Sequence, residues 1–255
     1  MLYRAHRGVQ KEYPENTMAA FKAAKEQGYG IIETDPSVTK DDVFVVMHDD
    51  TINRTARNAY GKAPEKAINL GDITFAEANE YEYGSWFAPE FKGEKLPTLK
   101  EVIDFARQNG MRIKVDNRYM RFTDEQRDKF FDLFAYGADN ITFNCPSLEL
   151  AKEIKKRFPA CTIGFDGVTD EAELKEITSV LGNNVEIWIP MNKPQTAWWT
   201  KEFLNPKNAS LVSSYAKLCV WLIDNQSELD EAVELCRPND IYAIETTGGV
   251  KPKKF

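Results

Sequence analysis

Two histidines occur in the 255 residues, His6 and His48. Each closes a short extended run, 2–5 and 43–47, and each has charged neighbours: His6-Arg7-Gly8 and His48-Asp49-Asp50. Neutral imidazole is the side chain best suited to exchanging protons near neutral pH, so a pair can serve as base and acid for a phosphoryl transfer. A lone histidine is more commonly structural or exposed. Two at strand ends, with none elsewhere, are harder to dismiss. Glu33-Thr34-Asp35 ends the second extended run. Side chains at i and i+2 point to one face of a strand, so both carboxylates face the same way. Two like charges buried together are costly without a cation, and a hard divalent ion such as Mg²⁺ or Ca²⁺ is their natural partner. Taken alone, the pair also reads as a solvated strand end. Lys114, Asp116 and Arg118 repeat the alternation further on. A barrel strand buries both faces, so this charged stripe needs a reason. Asp116 can complete a metal site, and Arg118 can hold a phosphate through its rigid fork of donors.

The elements that must position these residues form a regular alternation. Extended runs are expected at 2–5, 30–35, 112–118, 140–143, 161–165, 185–190, 217–223 and 241–245. Helices are expected at 17–27, 99–108, 124–134, 147–158, 170–181 and 227–236, with a less regular one at 196–205. Eight strand–helix units argue for an α/β fold of the TIM-type (β/α)8 barrel kind. No glycine-rich dinucleotide fingerprint follows the first strand, which weighs against the doubly wound alternative. Pro36 is expected to turn the chain after the second strand. The stretch at about 49–97 breaks the rhythm and is too long for an ordinary loop. It is expected to be a small inserted subdomain lying over the barrel mouth, within a single domain covering 1–255. Asn16 or Thr17 can cap the first helix. Trp221 ends a late strand, as core or as the lining of a substrate pocket.

Composition narrows the class. The net charge of −7 and the absence of a dense basic cluster argue against nucleic acid as a partner. Lys251, Lys253 and Lys254 read as a solvated tail. No run is apolar enough for about 20 residues to span a bilayer, so a soluble chain is expected. Cys145, Cys161, Cys219 and Cys236 form no C-x-x-C pair, and buried, inert thiols are expected of them. The compartment stays open: cytoplasmic if the chain is complete, periplasmic or secreted if a leader was removed. Oligomeric state is not readable.

The order of these pieces is itself informative. His6-Arg7-Gly8, Pro14-Glu15-Asn16-Thr17, Glu33-x-Asp35, Thr39-Lys40-Asp41 and His48-Asp49 together resemble the N-terminal signature of glycerophosphodiester phosphodiesterases. Gly84-Ser85-Trp86-Phe87, Leu96-Pro97-Thr98-Leu99, Val220 to Asn225 and 241–252 resemble later parts of that family, so the likeness spans the chain. The resemblance implies a TIM barrel and metal-dependent hydrolysis of a small phosphodiester to glycerol 3-phosphate and an alcohol. It implies His6 and His48 as the acid–base pair, acting through a cyclic phosphate, with His6 as first-step base by analogy. It implies Glu33, Asp35 and Asp116 as ligands of a Mg²⁺ or Ca²⁺ ion, and Arg7 and Arg118 as phosphate binders. Trp221, with Trp86 and Phe87, could line a site for a choline-like head group. The family usually shows Glu-x-Lys where this chain has Asp116-x-Arg118. Lys114 faces the same way one layer deeper, where its ammonium could compete with a cation. A lysophospholipase D- or sphingomyelinase D-like lipid phosphodiesterase, or a barrel that only binds a phosphorylated ligand, are the alternatives.

Overall fold

The computed structural model describes residues 1–193 and 202–252. Eight strands run parallel and close on themselves: β1 (Leu2–Ala5), β2 (Ile31–Thr34), β5 (Arg112–Val115), β6 (Ile141–Asn144), β7 (Thr162–Asp166), β8 (Val185–Pro190), β9 (Lys217–Trp221) and β10 (Ala243–Thr246). The ring is sealed where β1 pairs β10, with Arg4 opposite Glu245, and where β2 pairs β5, with Glu33 opposite Lys114. The expected barrel is therefore the observed one. Two further strands, β3 (Pro36–Val38) and β4 (Phe44–Val46), form an antiparallel pair just past the end of β2. Pro36 thus opens a strand instead of turning the chain. It can do so because it stands at a strand start, where its missing N–H breaks no ladder.

Helices cover the barrel: α1 (Met18–Glu26), α3 (Leu99–Gln108), α4 (Asp124–Asp132), α5 (Leu148–Arg157), α6 (Glu171–Leu181), α7 (Pro206–Ser213) and α8 (Gln226–Cys236), while the short α2 (Phe75–Ala78) belongs to the stretch at 49–97. Their starts follow from capping chemistry. Thr17 accepts from Ala20 N at 3.2 Å, and Thr98 and Glu101 form a reciprocal capping box. The helix expected at 196–205 is not where the structure has one. Positions 196–201 lie outside the described residues, 202–205 are not helical, and α7 begins at Pro206. Asn205 caps it by accepting from Asn208 N at 2.9 Å, and proline suits the first helical position. The third barrel strand is also shorter than expected. It stops at Val115, because Asp116 accepts from Arg118 N at 3.1 Å and caps a 3-10 turn, Asn117–Arg121.

A large apolar core lies between the strands and the helices. The stretch 49–97 contributes to a separate cluster around Ile52, Ala56, Leu70 and Tyr83, against Val45 and Met47. All four cysteines are buried and free, and burial pushes the Cys145 thiol up to about 12. No described helix is long and apolar enough to cross a membrane. Lys251 is paired with Glu12 at 2.7 Å, so the expected solvated tail is tethered there. Lys253 and Lys254 lie outside the described residues.

The barrel interior is not apolar throughout. At its N-terminal end Arg112 donates to Tyr242 Oη at 2.9 Å, to Thr142 Oγ1 at 2.9 Å, to Thr162 Oγ1 at 3.2 Å and to Glu186 Oε1 at 2.8 Å. One layer up, Arg4 lies on the Trp188 ring, 3.3 Å from its centroid, and pairs with Glu245 at 2.6 Å. The inward stripe of β5 is thus Arg112, Lys114, then Asp116, rising towards the C-terminal mouth.

Candidate active site

At that mouth the strand ends surround a pocket of about 220 Å³. β1 delivers His6 and Arg7, β2 delivers Glu33 and Asp35, and β5 delivers Lys114 and Asp116. His48 arrives from the end of β4 and Arg118 from the 3-10 turn. Trp221, the last residue of β9, completes one wall. The two histidines, three carboxylates, two arginines and Trp221 expected from the sequence therefore meet in one cavity, with Lys114 among them. Trp86 and Phe87 do not line it. The Trp86 indole N–H donates to Tyr83 O at 3.0 Å, and Phe87 packs edge-on against Trp86 and Phe91.

Local backbone conformation sets these positions. Arg7, Gly8 and Asn16 take left-handed φ values of 54°, 81° and 56°. A Cβ on Gly8 would lie 2.6 Å from Ala20 Cβ, so only glycine lets this loop pack on α1. Arg7 N donates to Glu33 Oε2 at 2.9 Å, tying the loop to the acidic strand. Asn16 does not cap the helix. Its Nδ2 donates to Asp35 Oδ2 at 2.9 Å, leaving the cap to Thr17. Arg118 is carried by a turn that Tyr119 anchors, its hydroxyl donating to Asn144 O at 2.7 Å and its ring stacked on Phe130.

Glu33, Asp35 and Asp116 offer oxygens that lie within 4.8 Å of one another. Burial, then repulsion from Asp35 and Glu245, raises the Glu33 pKa well above 4.5. Burial also raises Asp116, against the pull of Lys114. Ionising these groups together needs positive charge from outside the cluster. Three hard oxygen donors at this spacing fit a Mg²⁺- or Ca²⁺-type ion. His6, Glu33 and Glu245 form a second group at the same spacing, but Arg4 already serves Glu245. Although burial raises the Glu245 pKa, Arg4 outweighs it and holds the group near about 2. The first group is the better candidate for a cation.

The two histidines are held differently. His6 Nδ1 is 2.6 Å from Gln10 Nε2, and its Nε2 is 4.0 Å from Glu33 Oε2. Burial lowers its pKa below 6.5, so the neutral ring prevails at pH 7. His48 is more open, and its Nδ1 donates to Asp49 Oδ1 at 2.8 Å. Asp49 also accepts from Arg54 Nε at 2.6 Å, and Arg54 in turn grips Glu15 with two bonds of 2.8 Å. Burial raises the Asp49 pKa, but the bonds from Arg54 and His48 win and hold it near about 2. Glu15 accepts from Arg7 at 3.1 Å, and Arg7 Nε lies 3.2 Å from Asp35 Oδ2. One chain of alternating charge thus runs from His48 to the acidic cluster. These carboxylates raise the Arg7 pKa although burial opposes them.

Sequence reasoning missed Gln10, Arg54, Glu15, Asp166, Arg4 and Glu245 as parts of this site. Asp166 was within reach, since a carboxylate at the C-terminal end of a barrel strand is a functional position. It lines the pocket and accepts from Asn144 Nδ2 at 2.7 Å. Lys114 also lines the pocket and is buried. Burial and Arg4 would lower its pKa, but Asp166, Glu245 and Asp116 raise it, so it stays charged.

The sequence model of the Glycerophosphoryl diester phosphodiesterase family matches residues 6–176. The Bacillus subtilis protein YhdW is 32% identical over 163 residues, which are 62% of this chain and 64% of that one. A glycerophosphodiester phosphodiesterase of Caldanaerobacter subterraneus is 39% identical over 112 residues, 44% of this chain and 43% of that one. The matched stretch therefore spans less than two thirds of either curated relative. Among solved structures, an Oleispira antarctica phosphodiesterase in complex with sn-glycerol-3-phosphate superposes with a TM-score of 0.73. It covers 98% of this chain and 94% of its own at 19% identity, a likeness of fold.

Proposed function

The chain belongs to the glycerophosphoryl diester phosphodiesterase family, and on that premise we propose that it hydrolyses glycerophosphodiesters to glycerol 3-phosphate and an alcohol. The observation that carries this reading is the convergence, in one pocket, of two histidines, three carboxylates and two arginines from β1, β2, β4, β5 and the turn that follows β5. A divalent cation held by Glu33, Asp35 and Asp116 would, when bound, set positive charge against the phosphoryl oxygens. Arg7 and Arg118 bring guanidinium donors to the same oxygens. Both are now engaged by protein carboxylates, Arg7 by Asp35 and Glu15 and Arg118 by Asp50 at 2.7 Å. The diester takes over part of that role when it enters.

The hydroxyl next to the ester attacks phosphorus. His6, neutral and reaching the pocket through Nε2, takes its proton. Gln10 holds Nδ1, and the base form is the one in which the Gln10 amide oxygen accepts the Nδ1 proton. A half-turn of the amide selects that arrangement. His48 gives a proton from Nε2 to the departing alcohol, and its imidazolium is supported by Asp49 at Nδ1. Water then opens the cyclic phosphate with the two roles reversed. Trp221 is the single large apolar side chain among the described lining residues, so they offer no groove for an acyl chain. That favours a small water-soluble diester over a lysolipid.

The direct test is release of glycerol 3-phosphate from glycerophosphocholine and glycerophosphoethanolamine in Mg²⁺, Ca²⁺ or EDTA, for wild type and His48→Ala. Cation-dependent release that is abolished by the substitution supports the reading. No release from either diester under any condition sinks it.

A further inference from the structure

Four cationic side chains line the pocket: Arg4, Arg7, Lys114 and Arg118. Three have protein carboxylates of their own, Arg4 with Glu245 at 2.6 Å, Arg7 with Asp35 at 3.2 Å and Arg118 with Asp50 at 2.7 Å. Lys114 is the exception. It is 5% exposed, yet among the described residues its ammonium makes no hydrogen bond and no ion pair. The Trp188 ring, 5.9 Å away, is already covered by Arg4. No carboxylate among the described residues touches the ammonium; against burial it is held charged at a distance, by Asp166, Glu245 and Asp116, and it faces the pocket. Its charge in turn offsets part of the burial and repulsion that raise the Glu33 and Asp116 pKa values. The position is equally specific. Lys114 sits opposite Glu33 in the sheet register and two residues before Asp116 on the same inward face. Two of the three carboxylates that fit a cation therefore flank it.

A fixed positive charge at that point has two consequences of opposite sign. It repels a divalent cation entering the carboxylate cluster, and it attracts an anion entering the same pocket. We propose that Lys114 is the specificity-determining counter-charge of this site, keeping the carboxylates from holding a divalent cation too tightly and lending its free ammonium to a monoanionic phosphodiester. Lys114 thus couples the two ligands: a cation bound alone is disfavoured, and the cation with its diester is favoured. This inference rests on the phosphodiesterase reading and deepens it, because it assigns part of the anion recognition to a residue outside the histidines, the three carboxylates and the two arginines.

The test separates the two ligands. Binding of Mg²⁺ and Ca²⁺ is measured by titration calorimetry on wild type, Lys114→Met, Lys114→Gln and Lys114→Arg. Binding of glycerophosphocholine is measured on the same proteins carrying His48→Ala, with the cation saturating. The expected result is cation affinity higher by about tenfold or more in the Met and Gln variants, and diester affinity lower by a similar factor. Lys114→Arg should stay near wild type in both. A residue that is merely structural would weaken both ligands together, and that outcome overturns the proposal, as does no change in either. Using both Met and Gln guards against a single variant that fails to fold, checked by thermal unfolding. Turnover by the wild type is read separately. If it hydrolyses the diester while the Lys114 variants bind both ligands unchanged, this inference fails and the phosphodiesterase reading stands. If the wild type neither binds nor cleaves any diester, the reading itself fails.

Discussion

Both ends of the barrel interior carry charge, with β5 supplying a cation to each, and the two are arranged in opposite ways. At the N-terminal end Arg112 is ringed by Tyr242, Thr142, Thr162 and Glu186, and Glu186 also accepts from the Trp188 indole at 3.3 Å. Cation and anion match, and three hydroxyls accept further bonds from the guanidinium. At the C-terminal end, two and four residues further along the chain, Lys114 has no hydrogen bond or ion pair among the described residues, and Asp116 crowds Glu33 and Asp35. A satisfied buried network closes a barrel. Like charges gathered in one pocket, as at the mouth, are the arrangement expected of a ligand site.

Several changes would break or sharpen this contrast. The largest effect is expected at the mouth. His48→Ala should lower kcat by about 10²–10⁴-fold, the range for removing a general acid or base, with little change in thermal stability. The plug should respond the other way. Glu186→Leu leaves the part-buried Arg112 without its anion and should cost up to about 3 kcal/mol of stability, read by denaturant unfolding, while activity per folded molecule stays near wild type. If this variant lost activity without losing stability, the two ends would not be distinct in the sense argued.

A cation should act only at the upper cluster. At 100 times its Kd it should stabilise the wild type by about 2.7 kcal/mol in thermal unfolding. Glu186→Leu should retain that gain, and Asp35→Asn should lose most of it. The pH dependence sharpens the contrast further. Because the folded-state pKa of Glu33 is raised, the folded protein keeps a proton that the unfolded chain gives up above about 4.5. The metal-free protein should therefore lose stability as pH rises above that value, by at most about 1.4 kcal/mol per unit from this group. Glu33→Gln should flatten that slope. Glu245 has the opposite sign: held near about 2 by Arg4, its contribution is present above about 4.5 and is lost as the pH falls towards 2. Unfolding of the metal-free protein across pH 2–8 would show whether both slopes are present.

The parts that sequence could reveal were those encoded locally. The alternation of inward side chains with period two placed Glu33 beside Asp35 and Lys114 beside Asp116, and the strand–helix rhythm led to the closed barrel. Element ends depended on single hydrogen bonds. Asp116 caps a turn and so ends β5 three residues early, and Asn205 with Pro206 starts α7 where the helix expected over 196–205 was to end. The missed residues share one feature, in that their meaning lies in a partner far along the chain. Arg4 reads as an oddity in an apolar strand until β10 brings Glu245 beside it, 241 positions later. Arg54 is an ordinary exposed arginine until the fold sets Glu15 and Asp49 around it.

By itself, then, the sequence determined the eight-fold alternation, the inward faces and the chemical types available at the strand ends, because these follow from backbone periodicity and side-chain identity. Tertiary structure alone decided which charges are paired. Barrel closure brings strands from opposite ends of the chain into register, and at those short distances in a buried interior a few ångströms separate a neutralised pair from an unpaired charge such as Lys114.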